Sequence, residues 1–299
     1  MTDRPAATSQ FGLLADVRNG TARGTASYVP RLLVSVRNAE EARAAIAGGC
    51  DILDVKEPNH GSLGLASLTD IESIVQAATE AEVPCSVALG EAANWLAECV
   101  EDAFLADTAP DIRPDFLKLG LACLGALPDW VESWESAVQR IESSALRTGC
   151  RDTHWVAVIY ADWQRARFED WQPTHAPSPD QLLDVVCDPS NAFANRFAGV
   201  LVDTYSKSSG TLLDALSIEE LRNIANRTRE SGRFLALAGR LNAGLLTPLR
   251  ELQPDVIAIR SAACRGSDRT ATVDAGRVEL FRTELEHVFS PRASAGIIQ

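Results

Sequence analysis

Eight short apolar runs, each followed by a stretch with helical spacing, predict an α/β chain folded as a (β/α)8 TIM barrel. The runs lack polar alternation, as strands buried on both faces require. The first strand-to-helix turn, Arg37-Asn38-Ala39, carries no glycine-rich dinucleotide loop, which separates the pattern from a doubly wound open sheet. A chain of 299 residues with 46% hydrophobic content can fill one such barrel with a sizeable core.

Residues 1–29 are rich in Thr, Ser, Arg and Gly around the patch Phe11-Gly12-Leu13-Leu14, and read as a flexible N-terminal extension. The barrel is expected over 30–289, with a C-terminal tail over 290–299. The first strand is expected at 32–36; Asn38 then caps a helix over 39–47, ended by Gly48-Gly49. Strand two (51–55) leads to a helix over 68–81, and strand three (83–89) to one over 92–105. Strand four (116–119) follows a turn rich in Pro and Asp and precedes a helix over 130–146. Strand five (155–160) precedes a helix over 179–187. After strand six (199–203) comes a helix over 218–231, with Ser217 as cap and Glu220 completing a capping box. Strand seven (234–238) is followed by a short helix over 245–252, and strand eight (256–259) by the last helix, 276–288.

The net charge of −13 argues against a nucleic-acid partner, since a phosphate backbone would be repelled. A local cluster of arginine and backbone N–H groups can still bind a small phosphorylated molecule. No apolar run approaches the roughly 20 residues of a membrane span, and residues 1–10 lack the apolar segment of a secretory signal. The cysteine count is odd, at seven, with no C-x-x-C, which fits free buried thiols in a reducing cytoplasm. The four histidines lack metal-ligand spacing, and no G-x-S-x-G is present. Neither a metal nor a cofactor is expected.

Lysine is nearly absent: of 28 basic residues only Lys56, Lys118 and Lys207 are lysines. Each lies at or just past the end of a predicted strand, where a barrel places its chemistry. Arginine can replace a lysine that supplies only solvated charge. It cannot replace a nucleophilic amine or a titratable proton carrier, because the guanidinium stays protonated. The bland alternative is codon bias with three chance survivors.

Asp54 and Lys56 are two apart on one strand, so both point to the same side. A carboxylate there can hold the amine, shuttle its proton or stabilise an iminium; a plain ion pair is the alternative. Asp203 ends strand six, and Lys207 follows four residues later. Lys118, inside Phe-Leu-Lys-Leu-Gly, must be either paired or depressed in pKa by desolvation. The loops after strands seven and eight often bind phosphate in barrels, which points to Gly239, Arg240, Arg260, Ser261, Arg265 and Gly266. Tyr160-Ala161-Asp162 is a weaker candidate. The loop over 57–64 reads as a substrate-closing loop or as a simple turn.

Several motifs carry a resemblance: Leu-Leu-Val-Ser at 32–35, Asp-Ile-Leu-Asp-Val-Lys-Glu-Pro at 51–58 with Gly-Ser-Leu-Gly at 61–64, and Lys-Leu-Gly-Leu at 118–121. Tyr-Ala-Asp at 160–162, Asp-Thr-x-x-Lys at 203–207 with Gly-Thr-Leu at 210–212, and Ala-Leu-Ala-Gly at 236–239 follow in order. Arg-x-Ala-Ala-Cys-Arg-Gly-x-Asp-Arg at 260–269 completes the set. The chain thus resembles the (5-formylfuran-3-yl)methyl phosphate synthases of methanofuran biosynthesis, from about residue 31 to 288.

That resemblance implies a TIM barrel that condenses two molecules of glyceraldehyde 3-phosphate into a phosphorylated furan aldehyde, losing phosphate and water. It implies Lys56 as the Schiff-base lysine and Lys118 as proton acceptor, with Asp54, Asp203 and Lys207 supporting. Arg265 stands at the family's basic position in the strand-eight loop. The partner implied is a small triose phosphate in the cytoplasm, and a homo-oligomer is left open. Residues 1–29, 90–94 and 164–179 depart from the family pattern. Two other readings are a different class I Schiff-base aldolase for a phosphorylated sugar, and an inactive barrel serving as a partner protein. The five charged strand-end residues together weigh against the inactive barrel.

Overall fold

The structure, a computed structural model, describes residues 28–97, 113–143, 153–168, 175–207 and 210–290. The expected extension up to residue 27, the far ends of the helices expected over 92–105 and 130–146, and the tail from 291 lie outside the described residues.

Eight parallel strands close into a barrel in sequence order. They are β1 (Arg31–Val36), β2 (Ile52–Val55), β3 (Cys85–Glu91), β4 (Phe116–Gly120), β5 (His154–Tyr160), β6 (Phe197–Asp203), β7 (Phe234–Leu237) and β8 (Val256–Ile259). β8 pairs back onto β1, with Arg31 opposite Val256, so no edge is left open. Between them run α1 (Ala39–Ala47), α2 (Leu68–Glu80), α3 (Ala92–Leu96), α4 (Trp130–Glu142), α5 (Pro179–Val186), α6 (Leu212–Ala215), α7 (Ile218–Glu230), α8 (Ala243–Leu249) and α9 (Ala275–Phe289). The fold class expected from the apolar periodicity is the one observed.

The helices begin where their caps dictate. The Asn38 side chain accepts the N–H of Glu41 at 3.0 Å, and Ser217 forms the reciprocal box with Glu220. The helices each turn one buried, mostly apolar stripe inward. In α2 this is Ile71, Ile74, Val75 and Ala78, and in α7 Leu221, Ile224, Ala225 and Thr228. Both follow the i, i+3, i+4, i+7 spacing of a helix packed on one face. These stripes and the outward-facing strand residues form the outer core. The inward-facing residues form a second apolar core inside the barrel, which includes Leu33, Phe116, Val158 and Phe234.

Aspartates stitch the strand starts together. Asp51 accepts the N–H of Leu32, Asp115 that of Cys85, and Asp255 that of Leu235, each at 2.8 Å. In each case an acid just before a strand satisfies a donor in the first two residues of the strand preceding it, which keeps strand-start N–H groups from being orphaned. The strand expected at 83–89 begins at Cys85 instead, because Pro84 has no N–H for the ladder and the Asp115 carboxylate takes the N–H of Cys85. It also continues to Glu91, across an irregularity between Ala88 and Glu91 where Gly90 takes φ 75°.

Candidate active site

The register places Ser35, Asp54 and Ser86 level with one another on β1, β2 and β3. Asp54 therefore receives Ser35 Oγ on Oδ2 at 2.9 Å and Ser86 Oγ on Oδ1 at 2.7 Å. Lys118, on β4, donates to Oδ1 of the same carboxylate. All four side chains are buried. Of the alternatives open for Lys118, pairing is the one realised.

Lys56, just past β2, is 8% exposed, and no hydrogen bond or ion pair engages its amine among the described residues. Burial disfavours the ammonium. Asp203 and Asp54 favour it, Lys207 and Lys118 oppose it, and the net effect lowers the pKa to about 8. About a tenth of this amine is then neutral at pH 7.

Asp203, at the end of β6, is buried more deeply still, at 2% exposed. Its Oδ1 accepts Lys207 Nζ at 2.8 Å and the N–H of Thr204 at 2.7 Å, and its Oδ2 accepts Ser62 Oγ at 3.1 Å. Burial alone would raise its pKa, but Lys207 and Lys56 outweigh burial and hold it at about 2. Lys207 also donates to the Thr204 carbonyl, and burial lowers its pKa despite the pull of Asp203. The result is an unpartnered amine between two lysine–aspartate pairs. All five residues line one cavity, whose lower wall is apolar and includes Leu33, Ile52, Phe116 and Phe234.

The loops divide into braces and candidates for binding. Asp162, after β5, accepts the N–H groups of Tyr205 (2.6 Å) and Ser206 (2.9 Å), and so fixes the segment that carries Lys207. The stretch 57–64 is a closed turn: Glu57 N–H donates to Gly64 O at 2.9 Å, and a Cβ at Gly64 would lie 2.1 Å from Glu57 O. This turn lays Leu63 against the barrel interior and sends Ser62 Oγ to Asp203 and to Thr204 O.

The residues expected to hold phosphate part company. Gly239, Arg240, Arg260 and Ser261 line the cavity. Gly239 and Arg240 take successive positive φ values, 95° and 54°, and Arg240 Nη1 donates to Lys207 O at 2.8 Å. Arg265 and Gly266 are not among the lining residues. Gly266 takes φ 63°, and the Arg265 side chain is 73% exposed beside Asp274. Arg260 lines the wall, but its donors are taken by Glu41, Ser35 O, Arg269 O and Ala271 O. It is a structural arginine rather than a free one.

Two groups escaped the sequence reading. Arg269 lines the cavity and donates through Nη2 to Gly61 O at 3.0 Å. Glu91 is buried at the end of β3 and accepts Tyr160 Oη at 2.6 Å and the N–H of Ala122 at 2.9 Å. Burial raises its pKa, opposed by those two hydrogen bonds. The preceding Gly90 reads as the end of a strand, so no local signal marks Glu91 as part of one.

The cavity is lined by six basic residues, Lys56, Lys118, Lys207, Arg240, Arg260 and Arg269, against two acids, Asp54 and Asp203. This local excess sits in a chain of net charge −13. Among the described residues no group of three or more His, Cys, Asp or Glu side chains could hold a metal, and no helix is long and apolar enough to cross a membrane.

Comparison with known proteins finds relatives in sequence and in fold. The profile of the 4-HFC-P synthase family matches residues 32–282. A (5-formylfuran-3-yl)methyl phosphate synthase from Methanobrevibacter smithii is 33% identical over 238 residues, covering 80% of this chain and 91% of the relative. The enzyme of the same name from Methanopyrus kandleri is 32% identical over 240 residues, covering 80% and 92%. Among solved structures, phosphoribosyl anthranilate isomerase from Thermotoga maritima superposes with a TM-score of 0.51 at 15% identity, covering 86% of this chain and 99% of that one. Thiamine phosphate pyrophosphorylase from Pyrococcus furiosus gives 0.50 at 13%, covering 88% and 98%. These two likenesses concern the fold alone.

Proposed function

The chain belongs to the (5-formylfuran-3-yl)methyl phosphate synthase family, and on that premise we propose that it condenses two molecules of glyceraldehyde 3-phosphate through a Schiff base on Lys56. The observation that carries the reading is the buried Lys56 amine, unpartnered and with its pKa lowered to about 8, between the Asp54–Lys118 and Asp203–Lys207 pairs.

The neutral amine attacks the carbonyl carbon of one triose phosphate, and loss of water gives an iminium. The iminium makes the neighbouring C–H acidic. The Asp54–Lys118 pair takes up that proton. The resulting enamine attacks the aldehyde carbon of the second molecule. Asp203, held as a carboxylate, stabilises the iminium, and Lys207 serves as the nearby proton donor for departing oxygen. Hydrolysis of the iminium returns Lys56. Atom balance requires that one phosphate and two waters leave on the way to the furan aldehyde. The phosphate that stays is held at the mouth, by Gly239 and Arg240. This assigns the chain lyase-type chemistry on a phosphorylated substrate in the cytoplasm.

The test is incubation with glyceraldehyde 3-phosphate, followed by mass and near-ultraviolet analysis, with Lys56→Arg alongside. A phosphorylated furan aldehyde from the wild type and none from the variant is expected. Product from both removes Lys56 from its role, and an aldol product without furan absorbance assigns a different class I aldolase. Absence of both product and borohydride-trapped adduct leaves the inactive barrel.

A further inference from the structure

We propose that Arg269 is a phosphate-binding residue of this site, aimed into the cavity by the buried Arg260–Glu41 pair; the proposal deepens the condensation reading and rests on it. Four loops meet at the mouth and are tied in a chain that runs from the β7 loop through those of β6 and β2 to that of β8. Ser62, after β2, bonds to Asp203 and Thr204 O at the end of β6. Arg240, after β7, donates to Lys207 O in the β6 loop. Arg269, after β8, donates to Gly61 O in the β2 loop. The two arginines thus stand over the same joined pair of loops. Each uses one arm of its fork on a backbone carbonyl, and among the described residues no other hydrogen-bond acceptor engages either fork. A guanidinium fixed by one arm presents its remaining donors in a preset plane, the geometry that suits a phosphate.

The placing of Arg269 is enforced from behind. Arg260 Nε donates to Arg269 O at 2.8 Å and Arg260 Nη2 to Ala271 O at 3.0 Å, while Arg260 Nη1 and Nη2 are anchored on the Glu41 carboxylate. Glu41 lies in α1 and is 2% exposed, so this anchor is embedded in the fold rather than in the loop. Electrostatics point the same way. Burial, Arg260 and Arg240 all work against the charge on Arg269, and Asp203 and Glu57 only partly offset them. A dianion between Arg240 and Arg269 relieves that opposition. Two arginines that the sequence offered for phosphate are excluded on geometry: Arg260 has no donor left, and Arg265 is exposed beside Asp274 and does not line the cavity.

The experiment measures two properties of each variant. Affinity for glycerol 3-phosphate, which has no carbonyl and cannot react with Lys56, is read by calorimetry. Adduct formation with unphosphorylated glyceraldehyde is read by borohydride trapping and mass. Arg269→Ala should weaken glycerol 3-phosphate by about 10- to 100-fold, the value of hydrogen bonds to a charged group, and lower the glyceraldehyde adduct rate by a much smaller factor. Arg265→Ala should change neither. Arg269→Lys keeps the charge and loses the fork, so it should still weaken binding and serves if the alanine variant fails to fold. Unaltered glycerol 3-phosphate affinity in both Arg269 variants overturns the proposal, as does an equal loss of the glyceraldehyde adduct. Absence of any adduct in the wild type, with Arg269-dependent phosphate binding intact, sinks the Schiff-base reading and keeps the phosphate site.

Discussion

Asp54 takes the Lys118 ammonium on the same carboxylate that Ser35 and Ser86 hold from the two neighbouring strands. A buried ion pair of this kind adds little net stability as a whole, yet removing one partner strands the other charge in a low dielectric. Lys118→Met and Asp54→Asn should therefore each cost about 3–5 kcal/mol in urea unfolding. The double variant should recover most of that loss. Simple additivity of the two single losses would show that the pair is not the energetic unit.

Lys56 should be a destabilising residue. Its pKa is 10.5 unfolded and about 8 folded, so the unfolded chain binds more protons between those values and stability rises with pH across that window. Below pH 8 the fold carries the full cost of burying the ammonium. Lys56→Met should stabilise the protein at pH 7 by an amount on the order of 3 kcal/mol. The advantage should shrink when the same unfolding curves are measured at pH 10. An equally large gain at both pH values would contradict the assignment.

The same lowered pKa predicts the pH profile of adduct formation. Only the neutral Lys56 amine attacks a carbonyl, so the initial rate of borohydride trapping should rise about tenfold per pH unit below pH 8 and level off above it. Asp203, at about 2, should contribute no limb between pH 5 and 9. A flat profile over that range would place the nucleophile elsewhere.

Gly120→Ala tests the Glu91–Tyr160 pair. A Cβ there would lie 2.2 Å from Glu91 Oε2 and 2.3 Å from Tyr160 Oη, and both atoms are buried and already hydrogen-bonded. Overpacking should cost about 1–3 kcal/mol. Adding Tyr160→Phe removes one of the two clashing atoms, so thermal melts should find the second substitution less harmful in the Gly120→Ala background than alone.

The barrel was readable because its periodicity is local: β8 over 256–259 follows from four consecutive apolar residues between polar turns. The lysines were readable because rarity singles them out. What escaped depends on partners distant in the chain. Nothing near Arg260 in sequence reveals Glu41, 219 positions away, which turns that arginine from a ligand-binding candidate into a structural one. Arg269, nine positions further on, remains available because Arg260 is not. Likewise the start of β3 is set by the Asp115 carboxylate, 30 positions from Cys85, and its far end runs past Gly90, which reads as a terminator.

The positive lining inside a strongly acidic molecule divides the approach of an anion into two regimes. At long range the field of the whole protein slows its arrival; within the mouth the lysines and arginines accelerate capture. Added salt acts on these unequally, because screening beyond the Debye length of about 10 Å at 0.1 M reaches the exposed surface before it reaches a buried cluster. Association of a small phosphorylated ligand should therefore quicken with the first additions of an inert salt and slow only at higher ionic strength. This is opposite in sign, at low salt, to the behaviour of a basic protein that attracts its anionic ligand from afar.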